Sequence, residues 1–173
     1  AALEAIDAKL DLVVFVPEHI PVRDTMTVKN FATEKGIKVV GPNAPGIISP
    51  GIGKLGIMPG NMFTPGRIGV ISRSGTLSYE VSGYMNEAGF GQSTMVGMGG
   101  DPVVCMPLES ILAEFEADKD TDAVVMVGEI GGSAEEAAAL YIKKMTKPVV
   151  CYIAGRSAPH DKKMGHAGAI IKA

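Results

Sequence analysis

The sequence predicts an α/β fold with a doubly wound parallel sheet, preceded by the tail of another α/β unit. Three observations predict it. Short apolar, β-branched runs of strand length alternate with segments of helical spacing. The connections between them are short, as they are where helices return the chain to a parallel neighbour. Glycine marks the loops: 22 occur in 173 residues, nearly twice the usual ~7%, with none before Gly36 and sixteen from Gly36 to Gly100.

The first helix is expected over residues 1–9, where Leu3, Ile6 and Leu10 keep helical spacing. Residues 12–16 form a β-branched run and predict a buried strand. Pro17 and Pro21 break the chain, and a helix is expected over 25–35 with Met26, Val28, Phe31 and Ala32 facing the core and Gly36 closing it. A strand over 37–40 follows and ends at the turn residues Gly41-Pro42-Asn43-Ala44-Pro45-Gly46. Residues 47–66 are rich in Gly and Pro without periodicity, so a linker between two domains is expected there. Strands at 67–72, 92–98, 123–128 and 148–153 then alternate with helices at 76–88, 108–117 and 134–145. The clearest helix carries Leu108, Ile111, Leu112 and Phe115 at i, i+3, i+4 and i+7.

Composition narrows the function classes. The chain is 46% hydrophobic and 20% charged, with net charge -3. A disordered tail would be poorer in apolar residues, and a nucleic-acid binder would show basic excess. No run approaches the ~20 apolar residues of a membrane helix, and no targeting segment is visible. The two cysteines, Cys105 and Cys151, are too few for a disulfide scaffold, so free buried thiols in a reducing compartment are expected. The expected location is the cytoplasm, or the mitochondrial matrix in a eukaryote. The chain opens inside a helical pattern without Met and stops in an apolar run, so a fragment of a longer protein is expected.

In a doubly wound sheet, ligands sit outside the carboxyl ends of the strands. The loop Ser72-Arg73-Ser74-Gly75-Thr76-Leu77 leads from strand to helix. Its free amides and helix dipole suit a phosphate or carboxylate, and Ser74 capping its own helix is the equally weighted structural alternative. It is not a Walker A loop, and Ser72 stands where a hydrolase elbow needs Gly. Glu129 ends another strand, with Gly131 and Gly132 beyond it. His166 lies between Gly165 and Gly168 in a long final loop. A carboxylate can hold one imidazole nitrogen and leave the other free as a nucleophile, while a helix start holds the phosphoryl group it accepts. The combination points to phosphohistidine chemistry. The other histidines, His19 and His160, and the cysteines lack ligand spacing, so no metal site is expected.

Four segments in this order carry a resemblance: Gly41-Pro42-Asn43-Ala44-Pro45-Gly46, Ser72-Arg73-Ser74-Gly75-Thr76-Leu77-Ser78-Tyr79-Glu80, Gly128-Glu129-Ile130-Gly131-Gly132-Ser133 and Met164-Gly165-His166-Ala167-Gly168-Ala169. Together they resemble the alpha subunits of succinyl-CoA synthetases, the nucleoside-diphosphate-forming succinate–CoA ligases. The resemblance spans essentially the whole chain. ATP-citrate lyase and malate–CoA ligase share the His loop and are the relatives to tell apart.

The resemblance implies a flavodoxin-like ligase domain over residues 66–173, incomplete at its C-terminal end. Residues 1–45 would be the C-terminal remnant of a Rossmann-like CoA-binding domain, and 46–65 the linker. The implied reaction reversibly converts succinyl-CoA, nucleoside diphosphate and phosphate to succinate, CoA and nucleoside triphosphate. By similarity His166 carries the phosphoryl group, Glu129 holds its ring, and Ser74, Gly75 and Thr76 start the phosphate-binding helix. Tyr79 matches a succinate-site position, Val16, Pro17 and Glu18 a CoA-contacting stretch, and Asn43 a place near the CoA thiol. CoA is the implied cofactor, and ATP or GTP with Mg²⁺ is expected on a partner beta subunit of ATP-grasp fold. Two departures stand out: Ala44 replaces a Cys common in the family, and Val16-Pro17 replaces a more polar pair. Alternative readings are a related acid–CoA ligase or citrate lyase part with the same His loop, and a noncatalytic CoA-binding module.

Overall fold

In the computed structural model, which describes residues 1–171, the first α/β unit is small and sits against a larger sheet. Helix α1 (Ala2–Asp7) leads to β1 (Leu12–Val14), α2 (Val22–Lys35) and β2 (Lys38–Val40), with β1 and β2 paired in parallel. Ile6, Val28, Ala32 and Val39 form its core. Helix α2 begins three residues before the expected start, directly after Pro21, whose fixed φ suits the residue preceding a first turn. Gly36 closes it at φ 69, with Ile37 donating back to the Ala32 carbonyl at 2.9 Å. Strand β1 is shorter than its apolar run, because Phe15 makes one last bond to the Val40 carbonyl and the chain then turns away at Pro17.

The main sheet has six strands in the order β4-β3-β6-β5-β7-β8. Strands β5 (Pro65–Ser72), β6 (Gln92–Gly97), β7 (Ala123–Glu129) and β8 (Val149–Ala154) are parallel. Helices α3 (Gly75–Glu87), α4 (Leu108–Ala117) and α5 (Ala134–Ile142) connect them. Taken in chain order, these four strands lie 2-1-3-4, the flavodoxin-like arrangement that the resemblance implies. Alternate side chains serve two cores. Ile71, Val96, Val124 and Met126 pack with α4 and α5, while Val70 and Met95 pack with Met58, Phe63 and the α3 residues Tyr79 and Met85.

Residues 46–65 are not an irregular linker. Strands β3 (Gly46–Ser49) and β4 (Gly53–Gly56) form an antiparallel hairpin that pairs with β6 and makes the sheet mixed. These strands are short, β4 is wholly exposed, and β3 buries alternate positions but reads Gly-Ile-Ile-Ser, so neither shows in its residues the apolar–polar alternation that marks a strand. Gly46 and Gly56 explain the glycines: each has positive φ, and a Cβ on either would meet the opposite strand's backbone at 2.1 and 2.4 Å. Met58 and Phe63, beyond the hairpin, are buried in the α3-side core.

The two units are joined by packing and polar contacts. Val40 and Ala44 belong to the larger core, Lys29 donates to the Val104 carbonyl at 3.1 Å, and Lys38 pairs with Glu114 at 2.8 Å. Cys105 and Cys151 are both free; Cys105 is half-buried, and burial pushes its thiol up to about 11. Cys151 is exposed rather than buried, because β8 is an edge strand with Val150, Tyr152 and Ile153 also exposed. Among the described residues no helix is long and apolar enough to cross a membrane.

Candidate active site

Neighbouring parallel strands β5 and β7 end side by side where the strand order reverses. Ligands bind at such a switch point in open α/β sheets, because the two outgoing loops part and leave a crevice. Strand β5 delivers Ser72, Arg73 and Ser74 there, and β7 delivers Glu129.

The loop after β8 brings His166 back over this crevice. Its Nδ1 lies 2.7 Å from Glu129 Oε2. An ionised carboxylate only accepts, so Nδ1–H donates and Nε2 keeps its lone pair. The hydrogen bond that His166 donates to Glu129 raises the His166 pKa above its ordinary 6.5. Partial burial and the Arg73 charge pull it down, while the charges of Glu129 and Glu18 add to the rise.

Glu129 is itself held by groups that the motif reading did not single out. Arg73 is buried, with Nη2 3.3 Å from Glu129 Oε1 and Nη1 3.0 Å from Glu135 Oε1. Glu135, in the first turn of α5, also accepts from the Glu129 backbone N–H at 3.0 Å. One buried cation thus serves two carboxylates, and the remaining negative charge favours a proton on His166. The Arg73–Glu129 contact is an ion pair without hydrogen-bond alignment, so Glu129 Oε1 has no donor. Arg73 stands inside a segment that the sequence marks for other reasons, and Glu135 reads as an ordinary first-turn acid; their separation of 62 residues hides the pairing.

The expected phosphate-binding residues open α3. Ser74 caps that helix, its Oγ accepting from Leu77 N at 3.3 Å. The Ser74 O–H is left free to donate, so capping does not exclude an anion contact. The amides of Gly75 and Thr76 have no carbonyl to reach within the helix and remain its anion-facing donors. Ser74, Leu77, Glu129, Ile130, Gly155 and His166 line one cleft of about 250 Å³. Glycine at 131 lets the β7 loop touch the His loop: it has φ +96, and a Cβ there would lie 2.0 Å from the Gly168 carbonyl oxygen.

The remaining expected residues divide into those near His166 and those apart from it. Glu18 is close enough to act on the His166 charge, and Pro17 accepts from Asn43 N at 2.9 Å, so the 16–18 loop and Asn43 sit together beside the centre. Asn43, at φ 55, donates from Nδ2 to Asp101 Oδ1 at 3.1 Å. Tyr79 does not line the His166 cleft; its ring packs edge-on to Phe63 with centroids 6.1 Å apart. Among the described residues no cluster of three or more His, Cys, Asp or Glu is placed to hold a metal ion.

Comparison with known proteins gives the family. A family model described as CoA-ligase matches residues 71–173. A succinate–CoA ligase [ADP-forming] subunit alpha from Methanothermobacter thermautotrophicus is 59% identical over 99% of this chain and 58% of its own length. The corresponding subunit from Aquifex aeolicus is 52% identical over 99% of this chain and 57% of its own. The chain therefore spans a little over half the length of these curated relatives. Among solved structures, ATP citrate lyase from Methanothrix soehngenii, in complex with citrate and coenzyme A, superposes with TM-score 0.91 over 99% of this chain and 30% of its own. At 24% identity that likeness speaks to the fold alone.

Proposed function

The chain belongs to the CoA-ligase family, and from that premise we propose that it is the alpha-type part of a nucleoside-diphosphate-forming succinate–CoA ligase with His166 as phosphoryl carrier. One observation carries the reading: His166 Nδ1 bonded to Glu129 Oε2 at 2.7 Å, in the cleft where α3 begins. Glu129 fixes the tautomer and stabilises the charge that builds on the ring as Nε2 bonds to phosphorus. The Gly75 and Thr76 amides stabilise the phosphoryl oxygens without offering an acidic proton.

In the direction that makes nucleoside triphosphate, phosphate displaces the CoA thiolate from succinyl-CoA and forms an acyl phosphate. His166 Nε2 then attacks phosphorus, the bond to the acyl oxygen breaks, and succinate leaves as its carboxylate. The phosphoryl group passes from Nε2 to the diphosphate. Residues 1–45 would meet CoA through Val16, Pro17, Glu18 and Asn43, and residues 66–173 would run the phosphoryl steps, with Tyr79 toward succinate. A partner beta subunit of ATP-grasp fold would hold ATP or GTP and Mg²⁺, in a cytoplasmic setting. The test is incubation of the full-length two-subunit enzyme with γ-labelled nucleoside triphosphate and Mg²⁺. Acid-labile label is expected on this chain and lost in His166→Asn; retention of label in that variant overturns the assignment.

A further inference from the structure

We propose that Gly100 is a positioning residue for His166: its bare Cα is the seat on which the imidazole lies while Glu129 holds Nδ1. This inference rests on His166 being the phosphoryl carrier. A Cβ at Gly100 would fall 2.1 Å from His166 Nδ1, 2.2 Å from Cγ and 2.4 Å from Cε1. Three ring atoms at nearly equal short distance mean that the ring meets this point with its face. Gly100 is not among the glycines of positive φ, so its backbone accommodates alanine and the obstacle is the ring.

The seat cannot easily yield. Strand β6 ends at Gly97, and Met98, buried, donates to the Ser72 carbonyl at 2.9 Å. At Gly99, φ +97, a Cβ would lie 2.1 Å from the Pro42 carbonyl oxygen, so that turn is pressed against residues 42–43. Asp101 is tied to the same place by Asn43 Nδ2 at 3.1 Å. Gly100 is thus clamped on both sides, and a methyl group there moves the imidazole away from Glu129. The clamp also connects Asn43, beside the 16–18 loop, to the ring that Glu129 orients.

The experiment uses the full-length two-subunit enzyme and compares Gly100→Ala with Gly83→Ala, an α3 site where a Cβ meets nothing within 4 Å. Three readouts are taken: the NMR pH titration of the His166 ring nitrogens, single-turnover phosphorylation at saturating nucleotide, and thermal melting. Gly100→Ala is expected to lower the His166 midpoint toward its ordinary value and to slow phosphorylation by about 10-fold or more, since ~1 Å of misplacement can cost about 10²-fold. The nucleotide KM, read by varying nucleotide in the single turnovers, stays unchanged; Gly83→Ala titrates and phosphorylates as wild type and melts no lower, since alanine is favoured over glycine inside a helix. In a double-mutant cycle, Gly100→Ala lowers the melting temperature with His166 present and does not in the His166→Ala background. The same melting penalty with and without the ring, or an unshifted titration in Gly100→Ala, overturns the proposal. If instead His166→Asn retains acid-labile label, the carrier reading itself fails, whatever Gly100 does.

Discussion

The two sides of the candidate centre are built differently. On the sheet side, the buried Arg73 and Glu129 and the partly buried Glu135 sit at strand and helix ends and are held to one another by ion pairs and hydrogen bonds. On the other side, residues 155–171 contain no helix or strand, and most side chains from 156 to 165 are exposed. That loop meets the sheet through the His166–Glu129 bond, the buried Ala169 and the Gly131–Gly168 approach. Glu129 is fixed, and His166, the proposed nucleophile, rides on the part with fewer restraints. A carrier that exchanges a phosphoryl group between two sites needs this division, because the ring must leave its partner and return to it.

The largest test of the fixed side is Arg73→Met. It leaves the buried Glu129 and the partly buried Glu135 without their cation, and breaking a buried pair in this way costs about 3–5 kcal/mol. Denaturant unfolding of the full-length chain should show that loss; a change under about 1 kcal/mol would mean that the network is no more rigid than the loop.

Glu129→Gln probes the joint between the two sides. Losing a carboxylate that orients a histidine typically costs about 10–100-fold, here in the rate of His166 phosphorylation. It also removes the main upward pull on the His166 pKa. The wild-type pair stabilises the docked loop fully below the ordinary value near 6.5, and loses that stabilisation as pH rises through the higher folded value. Over the same interval the neutral, nucleophilic ring appears. The rising limb of the wild-type rate profile should therefore lie above pH 6.5 and move down in Glu129→Gln; an unmoved limb would separate Glu129 from the titrating group.

The smallest effect is expected at Ser74, whose hydroxyl caps α3. Ser74→Ala should cost about 1 kcal/mol, and Ser74→Gly only a few tenths. Equal losses in both would show that the hydroxyl does more than cap.

Much of this was legible in the sequence. The 3.6 spacing of Leu108, Ile111, Leu112 and Phe115 predicts α4, and all four are buried. Glu129 and His166 were readable as a pair because strand ends in a parallel sheet converge on one edge, and they meet across 37 residues. The hairpin at 46–56 was not readable. Its strands carry three glycines in eight residues and bury alternate positions only in β3, so periodicity is silent there.

What the residues determined by themselves is the kind of element at each place and the loops that would face a ligand. Those follow from local backbone preference and from which face each side chain takes. Only tertiary structure decided that Arg73 would be the shared cation, that Glu135 would steady Glu129, and that Gly100 would lie under the imidazole. The first and third depend on strands and loops remote in sequence arriving within about 3 Å of one another, the range at which hydrogen bonding and steric exclusion act, and the second on how the β7–α5 turn folds back. No pattern along the chain carries that distance.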